Sequence, residues 1–247
     1  MFLYIGTSKG LYKYNLKNKK LTNIFSNWHK GLFKRPSKGV FGICEDIDSN
    51  IIVAASRERL TKNNTYDKST DLILNFYDPK NNSVIEKTIV NNVYDVHQIY
   101  YFNNKIYLTD TGKNRIQIYN TKSKKTESHI NIGEIRKNLN HVNAIYVNKD
   151  KILIGLNNGN KENFKNSQII VLEDSLKISN NMDALKKGKI INLLNIYHTH
   201  DIESIDNDFL ISSSEEGNLI SLNMNKTIKK LPIWTRGISK NDKYIFV

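Results

Sequence analysis

Four of the six histidines in this 247-residue sequence stand two or four residues ahead of an isoleucine. They are His97 before Ile99, His141 before Ile145, and His198 and His200 before Ile202. Residues two apart on a strand share a face, so both offsets place their imidazoles on one side. Laying the segments on Ile43, Ile99, Ile145, Ile202 and Ile238 puts Phe41, His97, Asn143, His200 and Arg236 at the nearer position. The farther position holds Gly39, Asp95, His141, His198 and Trp234. Neutral imidazole is a common ligand of zinc and other divalent ions, which makes His97, His141 and His200 candidate metal ligands, with His198 as the substitute for His141. An imidazole oriented by Asp95 or Asp201 can instead shuttle a proton while Arg236 stabilises an anion. The third use is binding alone, with His and Arg recognising a carboxylate, sulfate, phosphate or sugar.

Such a set needs strands that bring equivalent residues together. Short apolar segments separated by Asn, Asp, Gly and Lys turns run through the chain, and only three prolines interrupt them. Tyr14-Asn15, Tyr77-Asp78 and Tyr119-Asn120 each close a segment before a Lys-containing turn, which points to duplication. Equivalent strands start at Leu3, Ile51, Lys105, Lys151, Asp208 and Lys243, and all but the first follow another short strand that carries the aligned isoleucine. Four-stranded units of roughly 40 to 50 residues are the pattern of β-propellers, which leave few exposed strand edges.

The expected fold is therefore all-β, a single propeller domain over residues 1–247 with four-stranded blades. Six blades are expected, with the chain stopping inside the last one and incomplete at its C-terminus; five is the alternative, in which Thr235–Ser239 completes the first blade. In a propeller the aligned side chains should ring one mouth of the central channel. The connection after the second strand returns there and brings Arg57, Asp110, Asn157 and Ser213 close. The expected ligand-binding set is His97, His141, Asn143, His198, His200, Arg236, Asp110 and Arg57. The long connections at 57–70 and 157–166 are further candidates for a binding surface, and residues 181–188 for a helical turn.

The net charge of +13 raises nucleic acid or an anionic membrane as a partner. Lysine dominates it and is scattered through turns such as Lys17, Lys19 and Lys20 or Lys122, Lys124 and Lys125, with no recognition motif, so solvated turns are the expected explanation. No apolar run of about 18 residues appears, and the N-terminus lacks a basic-then-apolar leader. With Cys44 as the only cysteine, an internal disulfide is excluded and a cytoplasmic setting is expected. Gly-rich phosphate loops, nucleophile elbows and HExxH helices are also missing from the sequence.

Leu231-Pro232, Thr235-Arg236-Gly237 and the closing Phe246-Val247 resemble a segment of an uncharacterised bacterial propeller family of conserved hypothetical proteins, a domain of unknown function. The run from His97 to Tyr119 looks like the same family's His-led inner strand, following strand and Asp-x-Gly turn. The resemblance implies a propeller that continues past residue 247, and it brings no activity. Six-bladed propeller lyases and lactonases are a more distant comparison; His97, His141 and His200 would suit their three-histidine zinc version, whereas the lactonase Glu and Asn ligand set finds only Asn143 and Asn157. The leading expectation is a ligand-binding propeller for a small anionic or sugar-like molecule. A metal-dependent lyase or hydrolase using the same histidines, with zinc or another divalent ion, and a non-catalytic protein-interaction scaffold are the alternatives.

Overall fold

The structure is a computed structural model that describes residues 1–7, 9–26, 38–58, 72–133, 140–157, 159–160, 163–164, 166–178, 180–193, 196, 198–214, 216–232 and 235–247. Two compact units divide the chain. The first is Met1–Leu108 with Tyr119–Thr126, and the second is Thr109–Ile118 with Glu127–Val247.

The first unit opens with a three-stranded antiparallel sheet of β1 (Phe2–Thr7), β2 (Gly10–Asn15) and β3 (Lys20–Ser26). A four-stranded sheet follows, with β4 (Lys38–Asp46), β5 (Ile51–Glu58), β6 (Leu72–Asp78) and β7 (Ser83–Val90) in chain order. The third sheet holds β8 (Val96–Phe102), β9 (Lys105–Asp110), β10 (Arg115–Asn120) and β11 (Lys125–Asn131), and the division between units falls within it.

Turn chemistry explains the recurring tyrosine-led ends. Asn15, Asp78 and Asn120 each accept a hydrogen bond from the backbone N–H two residues on, at Lys17 (2.9 Å), Lys80 (2.8 Å) and Lys122 (2.8 Å). Four residues after each stands a left-handed residue, Lys19, Asn82 and Lys124, with φ of 55°, 53° and 55°. An Asx turn followed by a left-handed residue reverses the strand in a fixed number of residues, which keeps the sheets in one register.

The second unit contains the fourth sheet, β12 (Val142–Val147), β13 (Lys151–Leu156), then β16 (Gln168–Glu173) and β18 (Lys189–Asn192), with a small hairpin of β14 (Gly159–Asn160) and β15 (Asn163–Phe164) inserted. Between β16 and β18 the chain forms β17 (Met182–Asp183), which pairs in parallel with β11, and the four-residue helix α1 (Ala184–Lys187). Asp183 caps that helix by accepting from Leu185 N at 3.0 Å. β17 thereby covers the outer edge of the third sheet, a common way to blunt an exposed strand. The fifth sheet is β19 (Thr199–Ile205), β20 (Asp208–Ser213), β21 (Asn218–Ser221) and β22 (Lys226–Lys230), and a final hairpin pairs β23 (Ser239–Lys240) with β24 (Ile245–Phe246).

The chain is thus all-β and built of five propeller blades. The expectation of six is corrected: the C-terminal residues make a hairpin of two two-residue strands, not a further blade. The fourth strand of a blade is its least buried. Val142, Asn143, Ala144 and Ile145 on β12 are fully buried, whereas every residue of β22 is exposed. Inner strands covered on both faces lose simple in-out alternation and read as continuous apolar runs. In the first unit Val53, Leu74, Val96, Ile99, Ile106 and Leu108 form one such core. The long connection at 57–70 lies almost wholly outside the described residues, and no helix among the described residues is long and apolar enough to cross a membrane.

Candidate functional site

At three of the five aligned positions, the residue two before the isoleucine has a physical mark. Pairing runs Val40↔Ser56 then Gly42↔Ala55, Val142↔Leu156 then Ala144↔Gly155, and Thr199↔Ser213 then Asp201↔Ser212. The residue passed over is Phe41, Asn143 or His200, so each sits in a β-bulge, which re-aims its side chain out of the regular pleat. Four residues before Ile99 and Ile145, Asp95 and His141 share left-handed backbone, with φ of 54° and 43°. Asp is enriched in that region, and so is His.

A second repeat ties neighbouring blades together. The residue just after the second strand of one blade meets the residue three before the isoleucine of the next. Thr111 Oγ1 donates to Val142 O at 2.5 Å, Thr199 Oγ1 donates to Asn157 Oδ1 at 3.0 Å, and Ser214 Oγ donates to Thr235 O at 2.5 Å. Thr235 Oγ1 returns a bond to Ser213 O at 2.9 Å, and Asp201 Oδ2 accepts from Ile238 N at 2.7 Å. Both bonds anchor the segment that carries Arg236, whose side chain is exposed.

In the second unit β12 and β19 lie side by side, and the bulges bring Asn143 and His200 into contact. Asn143 Nδ2 is 3.2 Å from His200 Nε2, and Ser214 Oγ is 2.7 Å from His200 Nδ1. The Ser214 hydroxyl hydrogen is committed to Thr235 O, so its oxygen accepts from Nδ1–H. The carbonyl of His198, 3.4 Å from Nδ1, can only accept as well. In the neutral ring the proton therefore sits on Nδ1, and Nε2 offers a lone pair to the Asn143 amide N–H. Asn143 is fully buried, and among the described residues no group donates to its Oδ1. His200 itself is only partly buried.

The other expected residues divide. The main-chain carbonyls of His141 and His198 accept from Asn157 N at 3.2 Å and Ser214 N at 2.9 Å. Asp110 is fully buried and holds Arg115 Nε at 2.6 Å, while the same guanidinium donates to Gln117 Oε1 at 3.0 Å, so the carboxylate is paired within the protein. His129 lies in this unit too: burial first, then the Arg115 and Lys113 charges, lower its pKa from 6.5 to about 4.

In the first unit, His97 Nε2 lies 3.5 Å from Asp95 Oδ2, with the histidine side chain 16% exposed and the aspartate 40%. Arg57 pairs through its backbone with Gly39 and Leu72, and its side chain lies outside the described residues.

Among the described residues no group of three or more His, Cys, Asp or Glu is placed to hold a metal ion. Both ring nitrogens of His200 already face protein partners, so a metal there would have to displace Asn143 or Ser214. The members that sequence reasoning missed are Ser214, Thr199 and Thr235. The signal for the threonines was a polar residue at an aligned position that Val40, Val96 and Val142 fill elsewhere. No protein-family model matches the chain, and no curated protein matches it either.

Proposed function

We propose that the protein is a ligand-binding β-propeller whose site lies at the mouth where the first strands of the fourth and fifth blades begin. Its ligand is a small polar molecule, anionic or sugar-like. One observation carries this reading: a fully buried carboxamide, Asn143, spends its N–H on a histidine ring while its carbonyl has no protein donor. Buried polar groups are nearly always satisfied, and the exceptions concentrate where a ligand or a functional constraint enters. His200 is oriented in advance by Ser214 and Thr235, as a recognition group should be, since a side chain fixed before binding costs no further ordering.

The test is a thermal-shift screen of small sugars, polyols and organic or inorganic anions on the wild type and His200→Ala. A ligand at 100 times its Kd adds about 2.7 kcal/mol of stability, which for a chain of this size raises Tm by about 5–10 °C. The expected outcome is a rise for one class in the wild type, lost in His200→Ala. A folded protein that no member of the screen stabilises would overturn the reading.

A second reading, a lyase or hydrolase, draws on Asp95 beside His97, the pairing by which a carboxylate orients an imidazole for proton transfer. Turnover of a screened compound that is lost in both Asp95→Asn and His97→Gln, with binding retained, would favour it. Stoichiometric zinc in the purified protein would favour its metal-dependent form.

A further inference from the structure

The same site carries information about which of the two ligand classes it suits, and this inference rests on the ligand-binding reading above. The Ser214 hydroxyl is held by Thr235 O at 2.5 Å and so receives the His200 Nδ1 proton across 2.7 Å. That leaves Nε2 as an acceptor, and 3.2 Å away stands the amide of Asn143, whose Oδ1 is a second buried acceptor without a protein donor. Two adjacent acceptors and one N–H therefore meet at the seam. We infer that the ligand is a neutral polyhydroxy compound, a sugar or polyol, which presents hydroxyl groups to His200 Nε2 and Asn143 rather than a carboxylate or phosphate.

The chemistry is a matter of matching. A hydroxyl both donates and accepts, so one such group can give its hydrogen to Nε2 or Oδ1 while taking the Asn143 Nδ2 hydrogen. A carboxylate or a fully ionised phosphate group has only acceptor atoms, and beside Nε2 and Oδ1 it would place lone pair against lone pair. Leaving a buried polar group unmatched is the main source of discrimination between ligands that differ by a single hydroxyl. Partial exposure of the His200 ring gives such a hydroxyl a way to Nε2, where it exchanges with the Asn143 N–H.

The experiment has two arms. The first measures the His200 tautomer in the ligand-free protein by long-range 15N–1H NMR correlation, assigned with His200→Gln. Nδ1 should carry the proton and Nε2 should not; Ser214→Ala should loosen that preference, and Ser214→Thr, which keeps the hydroxyl, should restore it. A neutral ring protonated on Nε2 overturns the inference without reference to any ligand. The second arm titrates glucose, myo-inositol and ribitol against succinate, sulfate and zinc chloride. At least one of the three polyols should bind, about tenfold more weakly in His200→Gln, as expected for one lost hydrogen bond. Binding of succinate or sulfate alone, dependent on His200, would overturn the donor-ligand inference and leave the binding reading standing. His200-dependent binding of zinc alone would overturn it in favour of metal ligation. Absence of binding by any of the six overturns the binding reading and this inference with it.

Discussion

Replacing Asn143 by leucine should stabilise the protein while abolishing binding at the seam. Asn143 is fully buried on β12 between Val142 and Ala144, which are fully buried themselves. Its N–H to His200 Nε2 is a single long bond of 3.2 Å. Losing that bond costs about 1 kcal/mol, whereas removing a buried carbonyl oxygen that no protein group satisfies returns about 1–3 kcal/mol. Leucine shares the Cγ branching of asparagine but is bulkier, and the apolar burial of its two methyl groups offsets the added packing strain. The net expectation is a gain of about 1 kcal/mol, or a Tm higher by about 2–4 °C at this chain length. Urea denaturation of wild type and Asn143→Leu at matched pH measures it, and the same samples are titrated with the polyol panel. Asn143→Ala serves as the control, because it removes the same carbonyl but opens a cavity and should fall below the leucine variant. Destabilisation of Asn143→Leu by 1 kcal/mol or more would show that Oδ1 is well satisfied, and the argument from an unmatched acceptor would fail with it.

Gly42→Ala should destabilise the first unit by about 1–3 kcal/mol, because the added Cβ would stand 2.8 Å from Ile99 N and 3.1 Å from Gln98 C, backbone atoms that cannot step aside; a urea midpoint equal to that of the wild type would contradict this. His129 should titrate near pH 4 in an NMR pH series. Since its folded value lies below the usual 6.5, the unfolded chain takes the proton first, so its contribution to stability is whole above about 6.5 and is lost as pH falls toward 4; His129→Gln should flatten stability across that window. Asp183→Ala should cost about 1 kcal/mol through loss of the α1 cap and should raise hydrogen exchange at the β17–β11 pairing, with unchanged exchange there as the contrary result.

Blade repetition was legible because the turns are chemical. A side chain that accepts from the N–H two residues on must be Asn, Asp, Ser or Thr, and Asn15, Asp78 and Asn120 display that need in the sequence. The isoleucine register was legible for the same kind of reason: Ile99, Ile145 and Ile202 are at most 1% exposed, and a residue buried that deeply tolerates little else. Blade number was not legible, since Thr235–Val247 has the residues of a first and second strand, and only pairing beyond that hairpin would make a blade of it. Nor could spacing tell that Asp110 is consumed by Arg115, five residues away across a turn.

Spacing alone suggested a ring facing a common axis, each imidazole free toward a shared ligand. The bulges fall at this aligned position in Asn143 and His200, and the two side chains meet each other across neighbouring blades. A histidine in an open ring chooses its tautomer by whatever arrives. One fixed through Ser214 to a backbone carbonyl has chosen already, and any ligand that met it would have to conform. That constraint lies in three residues from three separate segments, Asn143, His200 and Ser214, joined by contacts of 3.2 and 2.7 Å that no periodicity could specify.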